Sequence, residues 1–206
     1  MKLPLECSVD YHNGFITSEE SREIFHWITT HCEGLNGQYI SLADGSEKWM
    51  DNGLWLFVDD ALMDFSLFSK WHGRRKVWPP MIEKLRDRVE RFVGAEFSVC
   101  LCNYYLDGTV GMDFHSDLFT SYGPTSQILS VSLGEDRTFA FRKKSNRSEH
   151  YEIELQDGSL LIMGEGCQEE YEHALPTNPK YINPRVNLTF RMFSWPEGIN
   201  RKKRIA

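Results

Sequence analysis

The chain has 206 residues, 41% of them hydrophobic and 13% aromatic, with a formal net charge of −7 and a pI near 5.5. That length suits one large domain with a real core, and the acidic balance argues against a protein that coats nucleic acid by charge alone. No apolar run approaches the roughly 20 residues a spanning helix needs, so a cytoplasmic protein with no membrane partner is expected, nuclear if the source is eukaryotic or viral, and a monomer.

In chain order, Thr17 and Glu20 form a T-x-x-E capping box, and Ile24, Phe25 and Ile28 follow at helical spacing, which predicts a first helix. The segment SEKWMDNGLWLFVDDALMDFSLFSKWHGRRKVWPP reads as irregular and carries Trp49, Trp55, Trp71 and Trp78, as hydrophobic cover or as a lid against substrate. Pro79 and Pro80 open a second helix, Ile82, Leu85, Val89 and Phe92 form its apolar stripe, and Gly94 closes it. From Phe97 the period changes to two: FSVCLCNYY, ILSVSLG, RTFAFRK, HYEIEL, SLLIMG and VNLTFRMF read as strands, separated by LDG, GED and QDG turns. Helices followed by a run of short strands predict an antiparallel sandwich or barrel covered on one face. The cysteines, five in number, carry no disulfide framework, and Cys100 and Cys102 read as buried thiols. Basic clusters at Arg74 to Lys76, at Arg142 to Lys144 with Arg147, and in the tail at Arg201 to Arg204 read as solvated surface.

The stretch FHSDLF places His115 and Asp117 two positions apart, so in an extended strand both project from one face. Two imidazoles and one carboxylate make a site for a mononuclear non-haem iron(II), with open positions for a cosubstrate and oxygen. The third ligand is then a downstream histidine, either His150, among charged residues at a hairpin edge, or His173, which follows a strand and a loop and is the better placed. In RVNLTFR the alternation puts Arg185, Asn187, Thr189 and Arg191 on one face and Val186, Leu188, Phe190 and Met192 on the other. A polar face with two guanidinium groups is either solvated or turned to an internal pocket, where it suits a dicarboxylate such as 2-oxoglutarate. The set Phe97, Val99, Leu101, Asn103 and Tyr105 shares a face that ends in an amide and a phenol, which a bound cosubstrate would satisfy.

With these blocks in order (NYYLDGTVGMDFHSD, ILSVSLGEDRTFAFR, LQDGSLLIMGEG, EHALP and NPRVNLTFR), the sequence resembles the AlkB family of iron(II) and 2-oxoglutarate-dependent dioxygenases over about residues 80–193. The resemblance implies an α+β double-stranded β-helix, or jelly roll, with N-terminal helices packed on one sheet. It would form one domain over 1–206: a helical and lid part over about 1–95, a core over 96–195 and a basic tail over 196–206. It implies that His115, Asp117 and His173 hold Fe(II), that Arg185, Asn187 and Tyr105 grip the distal carboxylate of 2-oxoglutarate, and that Asn103 and Arg191 serve the end that chelates iron, with Thr189 in the same pocket. The implied reaction is oxidative demethylation of an N-alkylated base in single- or double-stranded DNA or RNA, consuming O2 and releasing succinate, carbon dioxide and formaldehyde. The flipped base would lie near His115, with Trp55, Phe57 or Trp71 as a second wall. Base-repairing members carry further acidic residues after H-x-D, whereas Leu118-Phe119-Thr120 follow here. A protein side chain or small molecule is therefore the alternative substrate, and a non-catalytic binding module a third reading.

Overall fold

A computed structural model describes residues 1–41, 45–63, 74–117 and 127–192. In chain order the elements are β1 (Val9–His12), α1 (Ser18–His31), β2 (Gln38–Ser41), β3 (Glu47–Met50), β4 (Gly53–Val58), β5 (Arg75–Val77), α2 (Pro80–Val93), β6 (Val99–Tyr105), β7 (Met112–His115), β8 (Ile128–Gly134), β9 (Arg137–Lys143), β10 (His150–Leu155), β11 (Leu160–Met163), α3 (Cys167–Glu170), β12 (Tyr171–Leu175) and β13 (Arg185–Arg191). A seven-stranded sheet runs β1-β11-β8-β13-β6-β4-β5, a four-stranded sheet runs β10-β9-β12-β7, and β2 and β3 form a separate two-stranded ribbon. Apart from the β9–β10 hairpin within the smaller sheet, the strands from β6 to β13 alternate between the two larger sheets, which is the double-stranded β-helix that the resemblance implied.

Two apolar cores result. The first lies between the large sheet and the helices, where Ile24 and Ile28 of α1 and Ile82, Leu85 and Val89 of α2 pack on Val186, Leu188 and Phe190 of β13. The second lies between the sheets and contains Tyr105, Phe139, Phe141, Met163 and Leu175. β13 pairs with β6 on one side and β8 on the other, and its alternate residues Val186, Leu188 and Phe190 enter the helix-side core. Each fully buried aliphatic side chain of this kind contributes about 1.5–3 kcal/mol.

The helix ends follow their sequence signals. At α1, Thr17 accepts from the Glu20 backbone N–H while the Glu20 carboxylate accepts from the Thr17 N–H, both bonds of a capping box. At α2, Gly94 adopts φ +71°, a left-handed conformation that costs glycine nothing.

Several expectations are corrected. Phe92, the last residue of the apolar stripe of α2, is half exposed, edge-on to His12 and Phe15. The strand read from Phe97 begins at Val99, so Phe97 does not join the inward set; it packs against Phe190 in the helix-side core. The stretch read as irregular contains β3, β4 and β5. All six residues of β4 are buried, so its sequence GLWLFV shows no alternation to betray a strand. The five cysteines are free and buried.

Candidate active site

β7 and β12 pair antiparallel with His115 opposite His173. Their rings lie 4.4 Å apart, and His173 stacks on Phe139 at 5.5 Å. The segment EGCQEEYE, expected as a loop ahead of His173, instead contains α3 and the first two residues of β12. The strand expected to carry both His115 and Asp117 stops at His115. Asp117 instead lies just beyond, held from two sides: its N–H donates to Gln168 Oε1 at 2.9 Å, and its Oδ1 accepts from Arg191 Nη2 at 2.7 Å. Gln168, buried on α3, escaped the sequence reading, because a glutamine between cysteine and glutamates carries no periodic signal.

Asp117 Oδ1 is 3.9 Å from His115 Nε2, and its Oδ2 is 3.9 Å from His173 Nε2. One ligand atom from each of the three residues falls within 4.8 Å of the others, the span that a single coordinated ion bridges. His115 Nδ1–H donates to the Asp113 carbonyl at 2.8 Å, which leaves Nε2 as the lone-pair nitrogen facing the cluster. Burial lowers the His173 pKa to about 4, so this imidazole is neutral at pH 7, as a ligand must be. Burial pushes the Asp117 carboxyl up, but the Arg191 guanidinium and the two imidazoles outweigh it and hold the group below its usual range. Two imidazole nitrogens with an anionic oxygen fit iron(II). His150 is exposed on β10, with Nδ1 against the Ser148 carbonyl, and does not join the cluster.

Next to the cluster is a cavity of about 80 Å³ lined by Asn103, Tyr105, Arg185, Asn187, Thr189 and Arg191, with Leu101, Ser130, Met112, Phe139, Met163 and Leu175. Arg185 is 2% exposed; its Nη2 donates to Ser132 Oγ at 2.9 Å and its guanidinium lies 5.7 Å from the Tyr105 ring centre. Its Nε meets no hydrogen-bond acceptor among the described residues, and no carboxylate there forms an ion pair with it. Burial pulls its pKa down to about 10, so it stays charged at pH 7. A buried cation without a counter-ion is costly. A dicarboxylate in this cavity would supply the missing charge. Asn187 accepts from Ser130 Oγ at 2.5 Å and donates to Thr189 Oγ1 at 2.9 Å, which fixes its amide at the cavity wall.

A larger cavity of about 710 Å³ adjoins the first at Met112, His115 and Leu175, and is walled on the far side by Lys48, Trp49, Met50, Asp51 and Asn52. Trp55 and Phe57, expected as an aromatic wall, belong to the helix-side core instead: Trp55 Nε1 donates to the Glu33 carbonyl at 2.9 Å, and Phe57 packs edge-on to Trp27. Aromatic density in the sequence did not encode which side of β4 they occupy. Trp71 and the Leu118-Phe119-Thr120 run lie outside the described residues.

A family model described as the 2OG-Fe(II) oxygenase superfamily matches residues 62–191. The DNA oxidative demethylase ALKBH2 of Bos taurus is 32% identical over 80% of this chain and 71% of its own length, and its Homo sapiens counterpart is 31% identical over 80% and 76%. The alpha-ketoglutarate-dependent dioxygenase alkB homolog 3 of Mus musculus is 37% identical over 60% of this chain and 46% of its own. Among solved structures, that of OsALKBH1 superposes with a TM-score of 0.61 at 16% identity, covering 92% of this chain and all of the other. A prolyl hydroxylase from Trichoplax adhaerens, in complex with a hypoxia inducible factor peptide fragment, gives 0.61 at 13%, covering 90% and 83%, a likeness of fold alone. The chain therefore belongs to the AlkB family of the 2OG-Fe(II) oxygenase superfamily and is a dioxygenase that uses Fe(II), 2-oxoglutarate and O2.

Proposed function

We propose that this dioxygenase oxidatively demethylates N-alkylated bases in DNA or RNA. The observation that carries the reading is the large cavity, which meets the iron ligands at His115 and holds a half-exposed Trp49 on the β2–β3 ribbon. At about 710 Å³ it is within the range of small-molecule sites and suits a nucleotide taken out of the stack. Trp49 is braced by Tyr39, edge-on at 5.0 Å, and by Asp51, whose Oδ1 accepts from its indole N–H at 2.6 Å. A base between this indole and the His115 imidazole would stack on one side and expose its alkyl group to the metal on the other. Lys48 at the rim would meet a backbone phosphate.

His115, Asp117 and His173 hold the metal. Arg185, with Tyr105 and Asn187, binds the distal carboxylate of 2-oxoglutarate, and Arg191 and Asn103 orient its iron-chelating end, with Thr189 fixing the Asn187 amide. Arg191 has a double task, since the same guanidinium hydrogen-bonds Asp117. Iron(II) with 2-oxoglutarate and oxygen supplies hydroxylation of the N-methyl carbon, after which the hemiaminal collapses to formaldehyde and the repaired base, with succinate and carbon dioxide released. Met112 and Leu175, which border both cavities, would keep water from the reacting carbon.

A panel of N-methylated single- and double-stranded DNA and RNA oligonucleotides, scored by mass for loss of methyl with iron(II) and 2-oxoglutarate supplied, tests the reading. Stoichiometric demethylation of at least one oligonucleotide is expected. Succinate production with every oligonucleotide left intact would assign the iron chemistry to a protein or small-molecule substrate.

A further inference from the structure

Asn52 lies in the turn between β3 and β4, outside the barrel strands, yet is only 2% exposed. Its Nδ2 donates to Asn103 Oδ1 at 2.9 Å. The turn is pinned by the residue that follows: a Cβ on Gly53 would fall 2.4 Å from the Leu35 carbonyl oxygen and 2.5 Å from its Cα, so only glycine allows the chain to pass. β4 then pairs with β6 so that Leu54 lies opposite Asn103, and Asn52, in the turn two residues earlier, reaches across to it. Asn103 is itself 7% exposed and lines the cosubstrate cavity.

A primary amide has an acceptor end and a donor end. With Oδ1 of Asn103 occupied by Asn52, its NH2 is turned to the cavity, where no described protein atom accepts from it. The iron-chelating end of 2-oxoglutarate brings only oxygen acceptors, so this orientation is the one it can use. Were the amide reversed, a carbonyl oxygen would confront those oxygens.

We propose that Asn52 is a positioning residue for the cosubstrate: by filling the Asn103 acceptor it fixes that amide with its donor toward 2-oxoglutarate. The inference rests on the placement of Asn103 at the cosubstrate made above. Asn52 also borders the cavity assigned to the base, so the turn that follows the substrate-side ribbon carries the group that sets this donor.

The test is a double-mutant cycle on 2-oxoglutarate affinity, measured by calorimetry on the full chain loaded with manganese(II), which needs neither turnover nor nucleic acid. Asn52→Ala should weaken binding about five-fold, the worth of one neutral hydrogen bond. Asn103→Ala should weaken it at least as much, and the double variant should bind no more weakly than Asn103→Ala alone. Asn52→Asp, which cannot donate to Oδ1, should show a loss at least as large and serves if Asn52→Ala does not fold. Wild-type affinity in both Asn52 variants, or losses at Asn52 and Asn103 that simply add, would overturn the inference while leaving Asn103 at the cosubstrate. Wild-type affinity in Asn103→Ala would overturn that placement and the inference with it.

Discussion

Arg191 Nη2 lies 2.7 Å from Asp117 Oδ1, so a guanidinium from the large sheet fixes the carboxylate that two imidazoles of the small sheet must share with a metal. The proposed metal centre would thus draw on both sheets, and Arg191, a wall of the proposed cosubstrate cavity, also holds the Asp117 carboxylate. Arg191→Ala should therefore weaken metal as well as 2-oxoglutarate, the metal by about 10- to 100-fold, as loss of an outer partner of a ligand does. Titration with manganese(II) in the absence of 2-oxoglutarate checks this, and unchanged metal affinity would separate the two roles.

His173→Ala should abolish metal binding at micromolar metal and all succinate formation, while His150→Ala should leave both as in the wild type. Metal content after gel filtration and succinate yield decide it; a reversed pattern would move the third ligand.

For Arg185 the two readouts should diverge. Arg185→Met removes the donor fork for the distal carboxylate, and 2-oxoglutarate affinity should fall by about 100-fold. The same change removes a buried cation that no described carboxylate pairs with, so the cosubstrate-free protein should unfold at an equal or higher temperature. A lower Tm would mean that the guanidinium serves the fold and not an anion.

The buried His173 imidazole, with a pKa of about 4 against 6.5 for the ordinary group, makes the metal-free protein acid-sensitive. As pH falls through 6.5 the unfolded chain takes up a proton that the folded chain refuses, so stability declines between about pH 6.5 and 4, by a few kcal/mol in all. Denaturant midpoints of metal-free protein across this window should fall, and His173→Gln should flatten the slope.

Trp49 and Trp55 give a paired contrast. Trp49→Ala should raise KM for a methylated oligonucleotide by about ten-fold or more, the worth of one stacked base, with little change in Tm. Trp55→Ala, in the helix-side core, should instead cost about 3–5 kcal/mol of stability.

Much of this molecule was legible where the side-chain period is clean. Arg185 to Arg191 read as two faces, and the strand presents the apolar one to the helix-side core and the polar one to the small cavity. Thr17 with Glu20, and Gly94, marked helix ends because caps are local chemistry. The ligand set needed only residue types and one choice between two histidines, and the structure brings His115, Asp117 and His173 together. Legibility failed where burial erased the alternation, as in β4, and where position depended on contacts distant in sequence. Asp117 is held by Gln168 and Arg191, which no local pattern links to it. The side of β4 that Trp55 occupies is likewise settled by pairing with β6, not by its neighbours.

β13 is flanked by β6 and β8, with Leu188 in the helix-side core and Arg185 in the small cavity. A screen for inactive alleles would for that reason recover neighbouring codons with unlike phenotypes. Those at Val186, Leu188 and Phe190 should be rescued by growth at low temperature, and those at Arg185, Asn187 and Arg191 by none.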